Sequence, residues 1–177
     1  MDKKTKIKKR IKDIVGYIIA VVLGMVIPLL IAGNVAFIAY IPSESMCDTL
    51  QVKDRICVSK MAYNKNEPQI GDIIVFNSDQ IDNEPIVLIK RVIGCPGDVV
   101  HIENGDVYVN GEKLVEEYAL KDNYSGDFTV PENSYFVMGD NRGNSIDARY
   151  WENHYVDKKD ILGKAIFRYY PKISRLY

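Results

Sequence analysis

The hydrophobic pattern changes once along the chain, and sharply. From Ile14 to Gly33 it reads IVGYIIAVVLGMVIPLLIAG, 20 residues without a charge, and no charge follows until Glu44. At about 1.5 Å of rise per residue, such a stretch spans a hydrocarbon core of about 30 Å. It predicts one transmembrane helix, and the uncharged continuation carries the anchor over residues 14–40. Pro28 is tolerated in membrane helices, and Asn34 marks the exit or a bend. A cleavable signal peptide is the competing reading, but its apolar core runs only about 7–15 residues. A retained signal anchor fits better.

After the anchor the texture becomes that of strands and turns. RICVSKMAY (55–63), DIIVF (72–76), IVLIKRVIG (86–94), DVVHIENGDVYVNGEKL (98–114), SYFVMGD (134–140) and GKAIFRYY (163–170) are rich in Val, Ile, Tyr and Phe. Turn formers divide them, and Asn104-Gly105 between alternating runs predicts a hairpin. No long amphipathic helical pattern occurs here; one helical turn is expected near 157–161. The fold class is therefore mainly β: an antiparallel β-sheet domain over residues 41–177, preceded by one N-terminal transmembrane helix. The acidic, Tyr-bearing stretch 116–127 reads as a mobile loop.

Charge adds a direction. Residues 1–13 hold seven basic and two acidic side chains, a net of +5, while the remainder holds 16 basic and 22 acidic, a net of −6. A basic tip on an acidic body argues against nucleic acid as a partner, because a nucleic-acid binder carries its positive charge on the folded domain. It argues instead for a topology signal that keeps residues 1–13 in the cytoplasm and puts the chain from about 41 onward outside. The three cysteines, Cys47, Cys57 and Cys95, form no metal-binding spacing. They read as buried or unpaired thiols. An outer location would permit one disulfide, with the pair left open. Neither a metal nor a cofactor is expected.

The candidate chemistry begins with an exclusion. The two histidines, His101 in an alternating strand and His154 in a polar stretch, read as ordinary strand and loop residues, which leaves no Ser-His-Asp triad. A serine can be activated without histidine if a neutral amine takes its proton. A free lysine has a pKa of about 10.4, and burial among apolar neighbours lowers it because the charged form loses its hydration. Lys90, within Ile86-Val87-Leu88-Ile89-Lys90-Arg91-Val92-Ile93, is in such a setting. Strand alternation puts Lys90 and Arg91 on opposite faces, so one can be buried while the other stays wet. Taken alone, Lys90 reads more readily as an edge-strand charge that discourages aggregation.

The nucleophile candidate is Ser45, in IPSESMCDTL directly after the anchor. Ser43, two residues back on the same face of an extended segment, is placed to supply a hydroxyl to an oxyanion beside the Ser45 N–H. Serines are also common in polar linkers that leave a membrane. Position favours function: from Tyr40 to Ser45 the chain reaches at most about 17 Å, which leashes the serine near the bilayer surface. The third segment is GDNRGNSIDARYW (139–151). There Asp147 and Arg149 can pair and brace the loop, and Ser145 can hydrogen-bond the Lys90 amine. The segment reads equally as a turn-rich surface loop.

In this order the segments resemble bacterial type I signal peptidases: a basic tip, a membrane helix, Pro42-Ser43-Glu44-Ser45-Met46, Gly71-Asp72-Ile73-Ile74-Val75-Phe76, Lys90-Arg91-Val92-Ile93-Gly94-Cys95-Pro96-Gly97-Asp98 and Gly139-Asp140-Asn141-Arg142 with Ser145, Asp147 and Arg149. The resemblance covers roughly residues 1–170. It implies Ser45 as nucleophile, Lys90 as general base, Ser43 as the side-chain half of an oxyanion hole, Ser145 as the hydroxyl that positions the lysine, and Asp147 with Arg149 as a structural pair. It also implies a β fold shared with self-cleaving repressors of the DNA-damage response. The implied substrates are preprotein signal peptides with small residues at −3 and −1, cut at the outer face of the membrane in functional proximity to the secretion translocon. Three positions depart from the family: Asp48 stands where Pro is usual, Cys95 where an apolar residue is usual, and Ala148 where Ser is common. Lys90 excludes the eukaryotic-type branch, which has histidine there. The short span between Asp98 and Gly139 suggests the compact form common in Gram-positive bacteria. A specialised relative that processes or assembles surface fibre subunits is the alternative within the resemblance, and a membrane-tethered binding module is the alternative outside it.

Overall fold

The computed structural model describes residues 3–81 and 84–176, without the side chains of residues 3–7, 9 and 30–32. The first two residues of the expected basic tip, most of its side chains and the last residue of the expected β domain lie outside that set. The chain divides into two compact units, residues 1–36 and 37–177.

The first unit is one α-helix, α1 (Lys3–Val35), with Pro28 inside it. Its stretch Arg10–Val35 is long and apolar enough to cross a membrane. The described apolar side chains of α1, among them Ile14, Tyr17 and Leu29, are exposed on every side. A long helix whose described apolar side chains are exposed is what a lipid-facing segment requires.

The uncharged run does not stay helical to residue 40. Its last five residues form strand β1 (Ala36–Tyr40) at the edge of a sheet. An apolar run without turn signals is ambiguous between helix and strand, and here an available sheet edge decides. The other strands of this eight-stranded sheet are β2 (Arg55–Ser59), β3 (Ile73–Ser78), β4 (Ile86–Gly94), β9 (Ser134–Met138), β10 (Val156–Asp157), β11 (Ile161–Tyr170) and β12 (Ser174–Arg175). The order is β1-β2-β11-β3-β4-β9-β10, with β12 beside β11. The smaller sheet holds β5 (Val99–Glu103), β6 (Asp106–Val109), β7 (Glu112–Lys113) and β8 (Gly126–Thr129), in the order β7-β6-β5-β8. Both sheets pair antiparallel around the site strands. The expected helical turn is a 3-10 turn at Lys158–Asp160.

Local chemistry accounts for the small sheet. β5 buries Val100 and Ile102 and exposes the residues between them, the period-2 pattern of a half-buried strand. The β5–β6 hairpin closes through Asn104 and Gly105, both at positive φ (49° and 81°), as a two-residue turn with that twist demands. Covered faces account for the large sheet. On β3, Ile74 and Phe76 enter the core between the sheets, with Val92, Phe136 and Trp151. Ile73 and Val75 enter a second core on the other face, with Ile41, Met46 and Leu50. The central strands are thus buried on both faces, and Arg91, which alternation alone would allow to stay wet, is only 4% exposed.

The stretch 116–127 is not a free loop. Glu116 is buried and paired with Arg142, Asp122 pairs with Arg149, and Leu120 bridges Asn141. Carboxylates that meet buried guanidinium groups tie the strap to the body.

Candidate active site

Three segments meet at one place. Strand β4 contributes Lys90, which pairs opposite Ile74 and is 3% exposed. The segment after β1 contributes Ser43 and Ser45. It is a series of bends and turns, not the extended stretch expected, closed by Cys47 N–H to Glu44 O at 3.0 Å and Leu50 N–H to Met46 O at 2.8 Å. Burial of Met46 and Leu50 in the second core draws it down onto the sheet. The loop 139–149 contributes Ser145, Asp147 and Arg149.

Lys90 Nζ lies 2.7 Å from Ser45 Oγ. The amine has no ion-pair partner among the described residues. Desolvation by burial pushes its pKa from the ordinary 10.5 down to about 8, against the pull of Asp147 and Asp140 and with a push from Arg149. The nearby carboxylates are engaged elsewhere: Asp140 takes Arg91 Nε and Nη2 at 2.8 and 2.6 Å, and Asp147 takes Arg149 and the Gly139 N–H. The same 2.7 Å contact lets the Ser45 hydroxyl donate once the amine is neutral. Ser43 Oγ is 3.4 Å from Ser45 Oγ, so the turn still brings the two hydroxyls side by side.

Asp147 and Arg149 form the pair expected of them, buried, at 2.8 Å. Ser145 differs from expectation. Its Oγ is buried but makes no hydrogen bond to Lys90 or any other described group. It sits against Gly139 instead, where an added Cβ would come within 2.2 Å of Ser145 Oγ and 2.5 Å of the Ser45 carbonyl oxygen. Glycine at 139 is therefore what lets the serine segment and the loop approach. The histidines stand apart, His101 beside Asp127 on the small sheet and His154 on the Ala148 carbonyl. The three cysteines are free thiols.

Sequence reasoning missed several supports. Thr49 Oγ1 donates to Asp140 at 2.5 Å, Asn141 N–H donates to the Ser45 carbonyl at 3.1 Å, and Asn144 Nδ2 donates to Glu44 at 3.1 Å. These bonds stitch loop to serine segment across some 90 residues of chain or more. The one available signal was the density of hydrogen-bonding side chains in both segments. A cavity of about 660 Å³ opens beside Ser45 and Lys90, walled by Pro42, Ile86, Leu88 and Ile146 among others. A nucleophile, a buried amine in contact with it and an open apolar cleft alongside can cleave an acyl bond in an extended peptide.

Comparison with known proteins gives the family. The family model described as signal peptidase, peptidase S26 matches residues 14–170. A signal peptidase I of Leptolyngbya laminosa is 43% identical over 161 residues, covering 87% of this chain and 78% of the relative. Signal peptidase I S of Bacillus subtilis is 37% identical over 174 residues, covering 90% and 91%. A crystal structure of a signal peptidase I from Enterococcus faecalis is 34% identical, with a TM-score of 0.46, and matches 56% of this chain and 97% of that one. With the family model across most of its length and relatives of this identity across nearly all of it, the chain belongs to the signal peptidase family, peptidase S26, and is a serine peptidase.

Proposed function

We propose that this chain removes N-terminal signal peptides from exported preproteins, with Ser45 as nucleophile and Lys90 as general base. The observation that carries the reading is the 2.7 Å contact between the Ser45 hydroxyl and a buried amine that has no ion-pair partner among the described residues. In this mechanism neutral Lys90 takes the Ser45 proton as Oγ attacks the scissile carbonyl. The Ser45 N–H and the Ser43 hydroxyl stabilise the oxyanion. The Lys90 ammonium returns the proton to the departing amine, and Lys90 then activates the water that hydrolyses the acyl-enzyme. Ser145 turns its unpartnered hydroxyl to the amine during this cycle, while Asp147 and Arg149 brace the loop. Small side chains before the cut are what the family membership implies for the substrate.

The seven basic residues of the tip support a cytoplasmic N-terminus, with α1 anchored in the lipid bilayer and the peptidase body at the outer face, near the secretion translocon. On this reading residues 1–13 are the tip and the body begins near residue 41, with β1 added to it from the end of the 14–40 anchor. Processing or assembly of fibre subunits is not favoured, since Lys90 is present and in contact with Ser45.

The test is cleavage of a preprotein with an Ala-x-Ala site by purified, detergent-solubilised enzyme. Ser45→Ala and Lys90→Ala should each abolish cleavage. Retained activity in either variant would overturn the assignment.

A further inference from the structure

Behind the loop 139–149, three buried arginines converge. Arg91 pairs with Asp140, Arg142 with Glu116, and Arg149 with both Asp147 and Asp122. Two of these carboxylates, Glu116 and Asp122, come from outside the site segments, from the strap that precedes β8. The strap grips the loop through its backbone as well. Leu120 N–H donates to the Asp140 carbonyl at 2.8 Å, and Arg142 N–H donates to the Leu120 carbonyl at 3.0 Å. Tyr118 lies under the Arg91 guanidinium, 3.8 Å from ring centre to Cζ, and donates its hydroxyl to Glu116 at 3.1 Å. Arg149 passes the grip on, donating to the Arg142 carbonyl at 2.7 Å while holding Asp147.

The consequence lies on the other side of the loop. Among the described residues the Ser145 hydroxyl makes no hydrogen bond and Lys90 has no carboxylate partner of its own. The loop that carries Ser145 is held from two sides, by the serine segment through Asn141 and Asn144 and by the strap through Glu116, Leu120 and Asp122. We propose that the strap is a clamp on the catalytic loop, in which Glu116 and Asp122, acting through Arg142 and Arg149, are positioning residues for peptide cleavage. The proposal rests on the Ser45–Lys90 reading given above.

The charged groups around Lys90 make the clamp visible in a pH profile. Asp147 and Asp140 favour its ammonium form, and Arg149 disfavours it. Arg142 faces the same cleft. Neutralising Asp122 leaves Arg149 with one carboxylate instead of two. The added positive field then favours neutral Lys90, so the ascending limb of activity moves to lower pH.

The experiment measures kcat, KM, the pH profile and thermal unfolding for wild type, Glu116→Gln, Asp122→Asn, Glu116→Asp, Ser45→Ala and Lys90→Ala in detergent. Misplacement of the loop by a fraction of an ångström predicts a fall in kcat of about tenfold for Glu116→Gln and Asp122→Asn, with KM little changed. Asp122→Asn also shifts the ascending limb downward, and Glu116→Asp recovers part of the loss. Asp122 keeps a partly exposed side chain, so its variant folds even if Glu116→Gln does not. If the Ser45 and Lys90 variants are dead but folded Asp122→Asn keeps wild-type kcat and an unmoved limb, the clamp is overturned and the dyad stands. If either dyad variant stays active, both readings fall.

Discussion

The two faces of β4 bury cations in opposite ways. Arg91 faces one side and gives its charge to Asp140 in a two-pronged contact, with Gly71 O, Thr49 Oγ1 and the Tyr118 ring also around it. Lys90 faces the other side and receives only a serine hydroxyl. A guanidinium stays charged in proteins, so its burial demands a carboxylate. An ammonium can release its proton, so burial without a carboxylate turns it into a base. On the proposed reading, adjacent residues in one strand serve stability and chemistry, and the difference lies in which of them the fold leaves without a carboxylate.

The sharpest way to break the comparison is to make the two faces alike. Lys90→Arg keeps the charge and reach but removes the removable proton. Activity should fall by about 10⁴-fold, and raising the pH should not restore it. Single-turnover cleavage checks this, and substantial turnover by the arginine variant would mean that Lys90 acts only as a charge.

Unpairing the other face comes next. Asp140→Asn leaves the Arg91 guanidinium buried without its counter-charge, and stability should drop by about 3–5 kcal/mol in urea unfolding. A loss below about 1 kcal/mol would show that Gly71 and Tyr118 suffice for Arg91.

The lysine face makes the reverse prediction. The folded-state pKa of Lys90 is about 8 against an ordinary 10.5, so the unfolded chain binds the proton more tightly. Native stability is therefore penalised below about pH 8 and recovers as the pH rises toward 10.5, while activity rises through pH 8. Lys90→Met, which has no proton to hold, should be inactive yet more stable at pH 7 by about 3 kcal/mol, with the advantage shrinking at high pH. Equal stability at both pH values would refute the burial penalty.

The smallest effect belongs to Ser145. Its hydroxyl makes no hydrogen bond in the resting site, so Ser145→Ala should change stability by less than about 0.5 kcal/mol. Its kcat should still fall by about tenfold if the hydroxyl orients the amine during turnover. A large stability loss with intact kcat would assign Ser145 to packing.

Much was legible before any fold was built. The apolar run showed a membrane-length helix, the Asn-Gly pair a hairpin with positive φ, and the lysine inside Ile and Val a candidate base. The end of that helix was less legible, because residues 36–40 are as apolar as what precedes them. The strap was misread as mobile because its anchors, Arg142 and Arg149, lie more than 20 residues further on. Ser145 was assigned a bond that the resting site does not contain, since a loop of Gly, Asn and Asp has no periodicity to aim a side chain.

By itself, then, the sequence determined most of the element types, a helix of membrane length and the residue types able to do the chemistry, because these follow from local periodicity, turn preference and side-chain pKa. Tertiary structure alone decided that both faces of β4 are covered, that Asp140 and Asp147 are taken by arginines, and that the amine is left facing Ser45. Burial and ion pairing arise between residues far apart in the chain, and it is their distribution that separates an amine able to act as a base from a structural cation.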